Sequence, residues 1–174
     1  MGAVAPSGKA LGRLMAAQVD PDRLGHVVEL GPGTGAITRA LLSAGIAPKR
    51  LVLVERDEQF HSLLRNRFPG VTLLNGDAGR LAELLAERQI DRVNAVVSSL
   101  PMLTLPPELQ NAVLAQSFRL MGDDGVFVQF TYSPAPPIPR QRTDELGLAG
   151  RRAGRAWRNL PPASVWRYER KEER

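Results

Sequence analysis

Three carboxylates in the first half of the chain share a setting. Glu29 ends an apolar run two residues ahead of the alternating glycines Gly31, Gly33 and Gly35. Glu55 closes LVLVE and is followed by Arg56 and Asp57, and Asp77 lies in NGDA beside Ala78. The glycine run, extended to Ala36, fits G-x-G-x-x-[GA], a turn whose amide N–H groups and following helix start attract anions such as a pyrophosphate. Glu29 argues against that ligand, because it would repel two phosphates. The same charge suits an ammonium or a sulfonium, and glycines let such a ligand approach the backbone closely. On its own, a glycine-rich turn can also be no more than a tight strand-to-helix link.

Glu55 stands 20 residues beyond Gly35, where a carboxylate can accept hydrogen bonds from both ribose hydroxyls, a placement that fits NAD equally well. Asp77 can accept from an adenine amino group while Ala78 packs on the ring. Taken singly, Glu55 with Arg56 and Asp57 also reads as helix-capping charge, and Asp77 as a turn or N-cap residue. Taken together with the glycines, they point to S-adenosylmethionine, which carries both an ammonium and a sulfonium. Its own carboxylate can use the free amides at the helix start around Thr34.

Positioning these groups requires strands that end where the carboxylates stand. Apolar strands are expected at 26–30, 50–55, 71–75, 94–100 and 125–132, with helices at 34–43, 58–68, 81–88 and 107–120. Near-continuous apolar strands alternating with helices predict an α/β fold with a parallel sheet covered on both faces and its ligand at the carboxyl ends of the strands. An amphipathic helix is expected over 7–19, with Ser7 as a possible N-cap. After the proline loop at 133–139, the runs 156–160 (AWRNL) and 164–170 (SVWRYER) alternate like paired edge strands.

ELGPGTG, LVLVERD and NGDA resemble the first three cofactor motifs of the class I S-adenosylmethionine-dependent methyltransferases. That resemblance implies a Rossmann-like, mostly parallel sheet of seven strands ending in a C-terminal antiparallel hairpin. More narrowly, GAVAPSGKAL, SSLPM, FVQFTYSPAPPIP and RNLPPASVWRY resemble bacterial phospholipid N-methyltransferases. These enzymes convert phosphatidylethanolamine toward phosphatidylcholine and release S-adenosylhomocysteine. The resemblance spans nearly the whole chain and implies one methyltransferase domain over 1–174. In it, residues 1–22 form a helix over the cofactor site, 23–132 the cofactor-binding units, and 133–174 the proline loop and basic hairpin. Cofactor contacts are then expected from Ser7, Glu29, Gly31, Gly33, Thr34, Gly35, Glu55, Arg56, Asp77 and Ala78.

The acceptor amine sets the remaining chemistry. An alkylammonium titrates near pH 10, by analogy with lysine, and must lose a proton before it attacks a methyl group. His26 starts the first strand and His61 lies inside a helix, so neither is expected to be the base. Rate is expected to come from alignment and partial desolvation. The backbone of Ser98, Ser99 and Leu100 together with a water would receive the proton, and Tyr132 would face the methylated ammonium. Arg140, Arg158 and Arg167 are the candidates for the headgroup phosphate. An alternative is an rRNA adenine dimethyltransferase, whose first motif also resembles VVELGPGTGAITRALL. Those enzymes carry Asn-Leu-Pro-Tyr after strand four, however, and here the chain reads Ser98-Ser99-Leu100-Pro101-Met102.

Composition bounds the rest. The chain has 174 residues, 43% of them apolar, enough for one well-cored domain. With no cysteines it can form neither a disulfide nor a thiolate metal site, and no metal is expected. No apolar run approaches the roughly 20 residues that a spanning helix needs. Residues 1–138 carry 13 basic and 13 acidic side chains, whereas 139–174 carry ten and five, so the surplus of +5 lies in the last 36 residues. Either an arginine-rich composition or an anionic partner accounts for that surplus. The expected partner is a phospholipid at an anionic surface, with no nucleic acid, and the expected location is the cytoplasmic face of a membrane. Phospholipid methyltransferases usually carry a basic amphipathic segment ahead of the Ala-Pro-Ser stretch, which here follows the start almost directly. On that reading the chain should bind cofactor normally but methylate vesicle lipid poorly.

Overall fold

The computed structural model describes residues 8–172. Seven strands form one sheet in the order β3-β2-β1-β4-β5-β7-β6. They are β1 (His26–Leu30), β2 (Leu51–Glu55), β3 (Thr72–Asn75), β4 (Val93–Ser98), β5 (Val126–Thr131), β6 (Leu148–Ala156) and β7 (Ala163–Arg170). The first five run parallel, β7 pairs antiparallel with β5, and β6 pairs antiparallel with β7. The helices are α1 (Lys9–Ala16), α2 (Ala36–Ser43), α3 (Glu58–Arg67), α4 (Leu81–Ala86), α5 (Pro107–Met121) and α6 (Arg140–Glu145).

Strict alternation along the buried strands splits the core into two layers. Val27, Leu51, Leu53, Ala95, Val97 and Val128 face α1, α2 and α3. Val28, Leu30, Val52, Val54, Val96 and Phe127 face α4 and α5, and Ile138, Leu148 and Tyr168 extend that layer beneath the hairpin. β2 (LVLVE) is buried along its whole length, as a central parallel strand flanked by helices must be. Asp57 caps α3 by accepting from the Gln59 and Phe60 N–H groups, and Arg50 fixes the opposite end of the sheet by donating to Pro21, Arg23 and Gly25 carbonyls.

The first five strands lie where the sequence predicts them, but the C-terminal region is rearranged. Residues 156–160 were expected as a strand, yet only Ala156 is one, and the rest form the turn between β6 and β7. The true partner of β7 is LAGRRAGRA, a segment to which the sequence pattern assigns no element before Ala156. It can be this polar because it is the outermost strand, and charged edges resist pairing with other chains. Gly150 sits opposite Tyr168, where a Cβ would fall 2.4 Å from the ring. The helix α6 between loop and hairpin is a further element that sequence patterning missed. At the other end, α1 is capped by Gly8, and Ser7 lies outside the described residues. α1 packs across α2 at Gly12, where an added Cβ would fall 3.1 Å from the Ala40 Cβ.

Gly35 closes the glycine turn with φ +88, and a Cβ there would fall 2.3 Å from Phe68 Cε2. Gly35→Ala should therefore lose on the order of 2 kcal/mol or more of stability in urea unfolding, combining left-handed backbone strain with overpacking. Adding Phe68→Leu should recover only the overpacking part. An alanine variant as stable as the wild type would show that the turn adopts another conformation.

Candidate active site

Two backbone hydrogen bonds join the loops that leave the central strands. Gly31 N–H donates to the Val54 carbonyl (3.0 Å), and Ser99 N–H donates to the Leu30 carbonyl (2.9 Å). Glu55 adds a third tie. Its Oε2 accepts from Gly33 N–H (3.1 Å) and its Oε1 from Asp57 N–H (2.9 Å), so one carboxylate holds both the glycine turn and the entry to α3. Each oxygen retains a further lone pair for a hydroxyl donor.

Glu29 is fully buried beneath the turn. Its Oε2 accepts from the Thr38 hydroxyl (2.6 Å), while its Oε1 has no partner. Burial pushes its pKa up from the ordinary 4.5 to about 8; the Thr38 hydrogen bond opposes this, and repulsion from Glu55 adds to it. A buried carboxyl with an unused acceptor is costly unless a donor or a cation meets it. It is therefore poised for a positively charged ligand.

Above these groups lies a cleft of about 210 Å³ lined by Gly31, Glu55, Arg56, Asp77, Ala78 and Leu100, among others. Six of the ten residues expected around a cofactor thus belong to, or directly shape, one concavity once Gly33 is counted with Glu55. A Cβ built on Gly33 meets nothing within 4 Å, so its backbone faces open space. Thr34 and Gly35 complete the turn, and the Thr34 carbonyl accepts from Arg67 (2.6 Å). Asp77 caps the following turn through Gly79 N–H (2.7 Å) and lies 3.8 Å from Arg56, so the capping and lining roles coexist.

A second, mainly apolar cleft of about 310 Å³ adjoins the first and shares Leu100 and Pro101 with it; Ser99, Met102, Phe130 and Tyr132 contribute to its walls. Tyr132 packs against Phe130 in a T-shaped pair with ring centroids 5.4 Å apart, and both rings line this cleft. One expectation needs correction here. The Leu100 carbonyl already accepts from Met102 N–H and from Gln129 Nε2, both at 2.8 Å, so its two lone pairs are engaged. The Ser98 hydroxyl is buried and accepts from Leu100 N–H (3.2 Å). That leaves Ser99, half-buried and lining the second cleft, as the part of this segment open to a hydrogen-bond donor. Gln129, which clamps the segment, went unrecognised; its only signal was a lone amide in the apolar strand GVFVQFTY.

The three arginines separate. Arg167 donates to the Gln18 carbonyl and pairs with Glu169, which ties β7 to the end of α1 and removes it from the phosphate candidates. Arg158 lies exposed in the β6–β7 turn, and Arg140, 94% exposed, starts α6 and reaches Asp144 only at 4.0 Å. His26 contacts the Arg92 carbonyl at the opposite end of the sheet, and His61 meets Arg65 on α3, so neither reaches the clefts. No residue of α1 lines either cleft. Its start is drawn to the hairpin turn, where Gly8 N–H donates to Asn159 Oδ1 (2.8 Å).

Comparison with known proteins supplies relatives for this arrangement. No family model matches the chain. The ornithine lipid N-methyltransferase of Singulisphaera acidiphila is 32% identical over 168 residues, spanning 94% of this chain and 85% of that protein. Ribosomal RNA small subunit methyltransferase A of Phenylobacterium zucineum is 42% identical, but over 78 residues that make up 43% of this chain and 26% of that enzyme. Among solved structures, a TehB-like SAM-dependent methyltransferase from Corynebacterium glutamicum has TM-score 0.64 and 19% identity, covering 92% of this chain and 86% of its own. The 1,6-didemethyltoxoflavin-N1-methyltransferase of Burkholderia thailandensis has TM-score 0.65 and 17% identity, covering 92% and 78%. These two likenesses are of fold.

The state of Glu29 makes stability depend on pH. Unfolded, the carboxyl ionises at its ordinary 4.5, whereas folded it holds its proton to about 8. Between those values the folded chain binds the extra proton, so stability falls as pH rises, by up to about 5 kcal/mol from this group. Glu29→Gln keeps the Thr38 contact without the titration. Urea unfolding followed from pH 5 to pH 8 should give a declining stability difference between wild type and variant. Parallel pH profiles would remove the assignment of a neutral Glu29.

Proposed function

This chain belongs to the family of that ornithine lipid enzyme, the class I S-adenosylmethionine-dependent methyltransferases, and from that premise we propose that it N-methylates the amine of a membrane lipid. Phosphatidylethanolamine and its mono- and dimethyl forms, on the way to phosphatidylcholine, are the substrates we infer. The observation that carries this reading is the second cleft, apolar and divided from the cofactor cleft only by Leu100 and Pro101.

The residues of the first cleft fit S-adenosylmethionine. Glu29, buried with Oε1 unpartnered, is a neutral carboxyl that an entering cation would drive to ionise. Glu55 has lone pairs for ribose hydroxyls, and the open backbone at Gly33 leaves room for a ligand. When bound, the cofactor supplies an electrophilic methyl group. The protein holds the acceptor amine against it. Apolar walls at Met102, Leu103 and Phe130 lower the ammonium pKa by desolvation. The Ser99 backbone carbonyl orients the amine by accepting a hydrogen bond while the amine's proton passes to water, and the Tyr132 ring steadies the methylated cation. Alignment by the clamped Ser98–Leu100 segment supplies the rate enhancement, while solvent water takes the proton in place of a general base on the protein. Arg140 and Arg158 are the phosphate donors this reading retains. Location at the inner membrane face, as a peripheral protein, goes with it, and no helix among the described residues is long and apolar enough to cross a bilayer.

An adenine acceptor is disfavoured by the same wall. Flipped bases are held by stacking between flat side chains, and the segment after β4 offers Leu100, Pro101 and Met102 instead. An ornithine lipid shares the amine and the acyl chains, so it is the alternative acceptor within the same chemistry.

Two measurements test the proposal. Calorimetry should show micromolar binding of S-adenosylhomocysteine and none of NAD, and Glu55→Ala should cost on the order of 2–4 kcal/mol of affinity. Equal affinity in the two proteins would defeat the cofactor assignment. With labelled S-adenosylmethionine offered alongside phosphatidylethanolamine, ornithine lipid or RNA separately, label should enter phosphatidylethanolamine. Label confined to ornithine lipid would correct the substrate, and label in N6-methyladenine would overturn the lipid reading.

A further inference from the structure

The large apolar side chains that remain exposed are not scattered. Among the described residues they are Leu24, Phe60, Leu103, Trp157 and Leu160. Phe60 lies in the first turn of α3 directly after β2, and Leu103 lies in the turn after β4 on the rim of the second cleft. Trp157 and Leu160 occupy the turn after β6, which runs parallel to β5 because each is antiparallel to β7. Four of the five therefore stand at one end of the sheet, the end onto which both clefts open. Trp157 is 70% and Leu160 84% exposed, far beyond what a solvated hairpin turn requires.

Charge accompanies them. Arg155 stacks its guanidinium over the Trp157 ring, 4.4 Å from the centroid, and Arg158 follows in the same turn. Among the described residues, neither has an acidic side chain within ion-pair distance, in contrast to Arg142, Arg167 and Arg170. Arg151 and Arg152 on the edge strand guard it against pairing, but edge protection calls for no tryptophan or leucine at its tip. An indole under a guanidinium, beside an exposed leucine, is the composition suited to the boundary between headgroups and acyl chains. Apolar side chains gain by entering that layer, and unpaired arginines gain by meeting anionic headgroups.

We infer that the β6–β7 turn is a membrane-docking tip, with Trp157 and Leu160 inserted into a bilayer carrying anionic lipid and Arg155 and Arg158 in contact with its headgroups. Docked in this way, the end of the sheet holding both clefts faces the lipid, and Leu103 continues the apolar contact from the tip to the cleft rim. The inference rests on the lipid reading only for its purpose; the docking is a separate property and is measured separately.

The chain has two tryptophans, so Trp166→Phe leaves Trp157 as the only reporter. On vesicles of phosphatidylcholine with phosphatidylglycerol, its emission should shift to the blue and be quenched by brominated acyl chains. Phosphatidylcholine alone should give a weaker response. W157A/L160A should reduce partition onto the mixed vesicles by roughly tenfold or more. It should leave S-adenosylhomocysteine binding and the methylation of detergent-dispersed phosphatidylethanolamine at the wild-type level. R155E/R158E should abolish the preference for anionic vesicles. Absence of a shift, or wild-type partition of W157A/L160A, overturns the docking tip. So would loss of self-association or of RNA binding as the sole effect of these changes. Inactivity of the wild type on dispersed lipid would instead overturn the substrate reading and leave the partition result standing.

Discussion

β1 has β2 on one side and β4 on the other, and the chain reaches β3 in one direction before it returns to build β4 and β5 in the other. Loops leaving β1 and β4 must then part, and a parallel sheet has no means of closing the gap. The rest of the site occupies that gap. Gly31 and Ser99 each donate to a neighbouring strand, which brings the glycine turn and the Ser98–Leu100 segment to its two sides at backbone precision. Because strand pairing sets these positions, the chemistry can rely on geometry where it lacks a titrating base.

Electrostatics favours the same occupant as the shape does. Two carboxyl groups lie under the turn in contrasting states, Glu55 satisfied by amides and Glu29 pressed out of water with one oxygen unused. A protein selected for stability alone would keep neither the desolvation nor the repulsion, since a leucine or glutamine would avoid both. Their persistence makes sense if the cost is offset only when a cation enters. Strain of this kind sits where binding takes place, not in the layers of the core.

Much of this was legible in the sequence, and what was not shares a cause. β1 and β2 could be read because burial on both faces forces an unbroken apolar run, and the three carboxylates could be read because they end such runs. β6 could not, since an outer strand with arginines on it carries no apolar period. Arg167 looked free in the alternation of SVWRYER, and only packing shows that α1 claims it. The saturation of the Leu100 carbonyl depends on Gln129, 29 residues away, a pairing that local pattern does not encode. Sequence revealed what each segment does alone and was silent where a side chain is committed to a distant partner.

The thin partition of Leu100 and Pro101 has a consequence for descent. Donor and acceptor compartments share two residues, and the segment after β4 contributes to both. Beyond it, the donor side is built by the loops after β1 to β3 together with α5, and the acceptor side by the end of β5 and the proline loop. Substitutions at Leu103, Phe130 or Pro137 can redraw the acceptor compartment while the donor compartment is inherited intact. A lineage built on this plan can change what it modifies without relearning what it modifies it with.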